Sequence, residues 1–137
     1  MTAFKELVTG IAHIGIRVHS LERSRAFYET LGFEFVMGPV GPEPVAILLH
    51  PSGVNINLIL NAPGENEPNI LMDVPQKHPG YTHVALDVSD LAAAQRALEQ
   101  AGIRITEGPV TFSNGTRAIF VRDPDRNVIE LDEEPRH

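Results

Sequence analysis

The chain has 137 residues, 42% of them apolar, no cysteine and a formal net charge of -7. That is enough apolar material for one real core, and it excludes disulfides and thiolate metal ligands, so a tightly held metal ion must use His, Asp or Glu. No Lys/Arg-rich run is present, which argues against a nucleic-acid or anionic-membrane partner. The N-terminal residues lack a basic stretch followed by an apolar one, and no apolar run approaches the roughly 20 residues that span a bilayer. A cytoplasmic protein is expected.

The first patterned segment is a strand over 11–18, in which Ala12, Ile14, Ile16 and Val18 form one face and His13, Gly15 and Arg17 the other. Ser20 is suited to cap a helix and Gly32 to end it in a left-handed conformation. Phe27, Tyr28 and Leu31 are spaced as that helix's buried stripe. A strand near 33–37 follows, then one through Ala46-Ile47, a turn at His50-Pro51-Ser52-Gly53, and a strand over 55–60 bearing Asn55 and Asn57. The segment 62–80, rich in Pro, Gly and Asn, reads as a linker long enough to lie over a site.

The chain then repeats itself. HIGIRVHSLERSRAFYETLGFEF from His13 runs without a gap over HVALDVSDLAAAQRALEQAGIRI from His83, with His on His, Ser20 on Asp90 and Gly32 on Gly102. Ala46-Ile47 aligns with Ala118-Ile119, and 55–60 with 127–132 after a one-residue slip. Val128, Glu130 and Asp132 oppose Ile129 and Leu131 in the last strand, and Arg122-Asp123-Pro124-Asp125 forms the turn before it, with Asp123 shaping it. Two β-α-β-β-β modules, about 8–61 and 81–133, are therefore expected. The fold class is α+β, a curved mixed sheet with its helices outside and a concave face inside.

If the helices cover the apolar sets, His13, His83 and Glu130 project into the concavity. Two imidazoles and one carboxylate suit divalent Zn, Ni, Fe, Mn or Co and leave positions open for water or substrate. Arg17 and Arg117 are candidates to neutralise an anionic substrate, although Arg17 is also placed to pair with Asp87. His19, His50 and His137 read as solvated, and His78 sits in the linker.

IAHIGIRVHSLERSRAFYETLGFEF, THVALDVSDL and FVRDPDRNVIELDE resemble the glyoxalase / bleomycin-resistance / dioxygenase superfamily, also called vicinal oxygen chelate, over roughly residues 8–133. The resemblance implies paired modules, one divalent metal ion, a small-molecule substrate that chelates it through adjacent oxygens, and homodimers whose sites often draw on two subunits. Matched residue by residue, the metal ligands are His13, His83 and Glu130, with Glu130 also the catalytic acid–base. The fourth position, a glutamate in glyoxalase I and a glutamine in methylmalonyl-CoA epimerases, is Asn57 here, an oxygen ligand or pocket residue that cannot act as a base. A lyase or isomerase of the glyoxalase I kind is the leading expectation. The alternatives are an extradiol-type dioxygenase, whose usual tyrosine is replaced by Phe120 (itself a candidate to contact substrate), and a metal-free bleomycin-resistance-like binder. The substrate-binding Lys, Arg and Thr of fosfomycin-resistance transferases are not recognisable. Arg126 stands where the family's turn usually has glycine.

Overall fold

Eleven elements make up the computed structural model, which describes residues 2–135. His137, expected to be solvated, lies outside the described residues. A short helix α1 (Phe4–Leu7), not foreseen in the sequence, precedes β1 (Ile14–Arg17), α2 (Leu21–Thr30), β2 (Glu34–Val40), β3 (Val45–Leu49) and β4 (Asn55–Ile59). The second set is β5 (His83–Asp87), α3 (Leu91–Gln100), β6 (Ile105–Thr111), β7 (Arg117–Arg122) and β8 (Val128–Glu133). The order β-α-β-β-β thus occurs twice.

Local signals set the helix ends. The Ser20 hydroxyl accepts from the Arg23 amide at 3.4 Å, and the Asp90 carboxylate accepts from the Ala93 amide at 3.0 Å. Gly32 and Gly102, with φ of 96° and 76°, turn the chain out of α2 and α3. Arg126 takes φ of 69°, the left-handed conformation that explains the glycine usual at this place. Its cost is offset by the bonds that hold it: its guanidinium donates to the Glu67 carbonyl at 2.8 Å, and its own carbonyl accepts from Asn69 and Arg122.

The strands form two mixed four-stranded sheets, ordered β1-β4-β3-β2 and β5-β8-β7-β6, with the first and last strands of each module parallel and the others antiparallel. The expected single curved sheet is interrupted, because among the described residues no ladder joins the edge strands β1 and β5. Register also corrects the alignment of the halves. Gly15 pairs with Asn57 and Ala85 with Glu130, while Ile47 pairs with Asn57 and Phe120 with Glu130. Ile47 is therefore the counterpart of Phe120, not of Ile119, and the one-residue slip falls before β3. Gly38-Pro39 and Gly108-Pro109 recur at matching places in β2 and β6, where both strands are bulged.

One apolar cluster serves both modules, from Ile16, Phe27, Tyr28 and Leu48 to Leu98, Ile119 and Leu131. Phe27 and Tyr28 are buried as the helical stripe requires, with Leu31 packed against the cluster. The modules are fastened where α2 meets the β7–β8 turn: the buried Tyr28 hydroxyl donates to Asp123 at 2.8 Å, and Arg23 pairs with Asp125 at 3.2 Å. Residues 62–80 carry no helix or strand and are tied to the second module by the bidentate pair of Arg122 with Asp73, at 2.7 and 2.9 Å. Among the described residues no helix is long and apolar enough to cross a membrane.

Candidate active site

Strand parity and register place the candidate donors. In the second module, alternation puts His83, Ala85 and Asp87 on the face away from Val84, Leu86 and Val88. Ala85 lies beside Glu130, Phe120 lies on its other side, and Glu107 pairs with Phe120, so the four form a row across the sheet. The equivalent row of the first module is Gly15, Asn57, Ile47 and Met37. Each row thus has a small residue beside its oxygen donor, with a histidine two residues earlier on the same strand or just before it.

His83 and Glu130 are brought together, Nε2 to Oε1 at 3.1 Å. His83 Nδ1 is engaged by the Thr82 hydroxyl at 2.8 Å, which fixes the ring and leaves Nε2 facing the carboxylate. The ring also meets Phe120 edge-on, with centroids 6.5 Å apart. His13 is exposed one residue before β1, and among the described residues no group of three or more His, Asp or Glu is placed to hold a metal ion. One chain therefore gathers two of the three expected ligands and does not bring His13 to them.

The remaining candidates are spread. The Asn57 amide oxygen is buried without a hydrogen-bond partner, as are one oxygen each of Asn55 and Asp132. Arg17 binds Asn61 at 2.8 Å and Glu43 at 3.1 Å; the pairing with Asp87 expected from the duplication does not form, because the β2–β3 turn supplies a carboxylate first. Arg117 is exposed at the start of β7. Of the histidines read as solvated, His19 is bonded to the Ala62 carbonyl and His50 to Ser52, both only half exposed, while His78 is exposed.

Glu130 is 7% exposed, and burial, together with the neighbouring Asp132 and the charge of Glu107, pushes its pKa up to about 7. Sequence reasoning put Asp132 on this face but assigned it no role. It missed Glu107, whose position depends on the β6 bulge, and it missed Thr82, for which the dipeptide Thr82-His83 was the available signal. A raised carboxyl pKa means the ionised form is disfavoured on folding, so stability present at low pH is lost as pH rises through about 7. Metal-free Glu130→Gln should therefore be more stable than the parent chain at pH 8, by about 1–3 kcal/mol, with the gap closing near pH 5. Denaturant unfolding in chelator at the two pH values measures this, and a gap that widens toward low pH would contradict it.

The spacing of His83 and Glu130 matches two of the ligands a divalent ion would need. Two ligands at about 2.0–2.2 Å from one ion, at near-right or tetrahedral angles, stand about 3 Å apart, as His83 Nε2 and Glu130 Oε1 do. The flanking carboxylates of Asp132 and Glu107 add negative charge that a cation would neutralise.

The model of the Glyoxalase/Bleomycin resistance protein/Dioxygenase superfamily matches residues 10–131, nearly the whole chain. The chain belongs to this superfamily. The match covers both modules and includes His13, Asn57, His83 and Glu130. The chain is 34% identical over 128 residues to the Glyoxalase domain-containing protein RDO1 of Mycosarcoma maydis, covering 90% of this chain and 68% of that one. It is 32% identical over 126 residues to a lactoylglutathione lyase of Haemophilus influenzae, covering 88% of this chain and 90% of that one. Among solved structures, a superfamily member from Sphaerobacter thermophilus superposes with a TM-score of 0.71 at 28% identity, covering 93% of this chain and 99% of that one. Superfamily members commonly use a divalent metal ion, act on small molecules and often dimerise.

Proposed function

We propose that this chain is a divalent-metal-dependent lyase or isomerase of the glyoxalase I kind. Its site would use His83 and Glu130 of one chain with His13 and Asn57 of a second. The observation that carries the reading is the His83–Glu130 pair, 3.1 Å apart with the far imidazole nitrogen fixed by Thr82, in a chain that does not bring its own His13 to them. Two further features support it: similarity to the lactoylglutathione lyase extends over most of both chains, and the first sheet leaves an apolar face open. Met37 and Leu49 there are 47% and 44% exposed, a surface suited to cover by a second copy.

In such a site a bound divalent ion would polarise two adjacent substrate oxygens and stabilise the negative charge that develops on them. His83 and His13 would fix the geometry through neutral imidazoles. Glu130 is the group able to take a proton from the substrate carbon and return it to the neighbouring one, because the Asn57 amide has no proton affinity near neutral pH. Phe120, packed against His83, keeps water from one side and offers no phenol, which tells against the dioxygenase alternative.

Metal analysis after reconstitution tests the reading. One Zn, Ni, Co, Mn or Fe(II) ion per chain is expected, with affinity falling in His83→Ala by more than the roughly 10- to 100-fold that loss of a residue supporting a ligand costs, alongside metal-dependent conversion of the methylglyoxal–glutathione hemithioacetal to the thioester. No bound metal in the parent chain under any loading condition would overturn it in favour of a metal-free binder. Oxygen uptake with catechol after anaerobic Fe(II) loading would overturn it in favour of a dioxygenase.

A further inference from the structure

The same turn joins β3 to β4 and β7 to β8, but the two turns face different things. With Asn57 matched to Glu130 by register, His50 falls on Asp123 and Gly53 on Arg126. In both turns the first residue donates its amide to the carbonyl four residues on and accepts from the amide three residues on, all at 2.9 Å, and Gly53 and Arg126 are both left-handed. Asp123 is met by two aromatic rings of α2: the Tyr28 hydroxyl donates to it at 2.8 Å, and Phe27 packs edge-on against Tyr28 at 5.0 Å. The gap-free alignment puts Ala97 and Leu98 of α3 at the places of Phe27 and Tyr28, and Ala93 and Ala94 at those of Arg23 and Ser24. Where His50 and α3 meet there is a cavity of about 770 Å³ instead. It lies within the range of pockets that hold small organic ligands, and none of His13, Asn57, His83 or Glu130 lines it.

Phe33, Val54, Leu98 and Leu131 give the cavity apolar walls. Its two lining acids offer no free charge, because strand parity turns the Asp87 side chain to the Glu130 face and Asp90 is taken up as the cap of α3. One donor is left uncommitted. His50 Nδ1 accepts from the Ser52 amide at 3.0 Å, so the neutral ring carries its proton on Nε2. That nitrogen has no hydrogen-bond partner among the described residues, and it is not sealed from solvent. An edge-on contact with Phe33 at 5.1 Å holds the ring in place. The cavity therefore pairs apolar walls with a single donor on the turn, as the opposite turn pairs two aromatic rings with a single acceptor.

We propose that this cavity binds a small neutral aromatic molecule bearing one oxygen acceptor, a phenol or an aryl carbonyl. Its ring takes the place that Phe27 and Tyr28 fill in the other half, and its oxygen accepts from His50 Nε2. The site is separate from the candidate metal centre and does not depend on that reading.

The test titrates p-cresol, the tyrosine side chain as a free molecule, and toluene, which lacks the oxygen, into the full chain, followed by calorimetry and by methyl NMR of Val54, Leu98 and Leu131. p-Cresol should bind with a Kd of about 1 mM or tighter and shift those methyls, with toluene about threefold weaker or worse. His50→Phe keeps a ring beside Phe33 and removes the donor, so it should weaken p-cresol about threefold and leave toluene unchanged. Ala97→Phe and Leu98→Tyr each put back one ring that α2 carries and should weaken both probes about tenfold or more by occupying the space. If neither filled variant folds, the methyl shifts and the His50→Phe comparison decide alone. Absence of p-cresol binding at millimolar concentration, equal affinity for toluene, unchanged p-cresol affinity in His50→Phe, or full affinity in the filled variants would overturn the proposal. So would methyl shifts that follow protein concentration instead of p-cresol, because a second copy of the chain would then occupy the cavity.

Discussion

Mixing two inactive variants, His13→Ala and His83→Ala, should restore about a quarter of the parent activity and metal content, since random pairing makes half the dimers mixed and each mixed dimer keeps one of two sites. The expectation follows from what one chain holds together. His83 and Glu130 are in contact, and His13 does not join them. In the mixed dimer one site receives an intact His13 from the His83→Ala chain and intact His83 and Glu130 from the other, while the second site loses both imidazoles. Each variant alone should fall to background, because every site then lacks a ligand. The measurement is activity and bound metal after co-refolding or subunit exchange, compared with the unmixed variants. If all ligands came from one chain, mixing would restore nothing beyond the average of the two. That result, together with full metal binding by a monomer, would remove the two-chain site.

Asp123→Ala should be the most damaging single change outside the site, lowering stability by about 3–5 kcal/mol. The buried carboxylate accepts four bonds at 2.8–2.9 Å, from the Tyr28 hydroxyl, the Asp125 and Asn127 amides and the Asn127 side chain. Burial is the main influence on its acidity and raises its pKa despite those donors, so the bonds serve to make a buried charge tolerable. Truncation leaves all four donors unsatisfied and unfastens α2 from the turn that leads into β8. Tyr28→Phe removes only one donor and should cost about 1–1.5 kcal/mol. Denaturant midpoints rank the two. Equal losses would mean the carboxylate acts only through Tyr28. Because the turn sets the position of Glu130 seven residues on, Asp123→Ala should also lose activity at temperatures where it is still folded.

Much of this architecture is legible in the sequence, for identifiable reasons. Alternation and helical period are local, so the faces of β1 and β5, the caps Ser20 and Asp90 and the terminating glycines can all be read directly. The correspondence of Asn57 with Glu130 comes from the family resemblance, and in the structure each lies beside the small residue two places after a histidine. What the sequence conceals is long-range. Nothing local shows that β1 and β5 do not join, that the slip falls before β3, or that a bulge turns Glu107 toward Phe120. Tyr28 reads as core, and its bond to Asp123, 95 residues away, depends on how the modules meet. Periodicity likewise points His13 and His83 to the same kind of face without saying whether one chain gathers them with Glu130.

The two edge strands carry one more implication. β1 and β5 have four and five residues and, among the described residues, no strand along their outer sides. Strands this short offer few backbone groups for indiscriminate joining, which keeps newly made chains from polymerising into fibres.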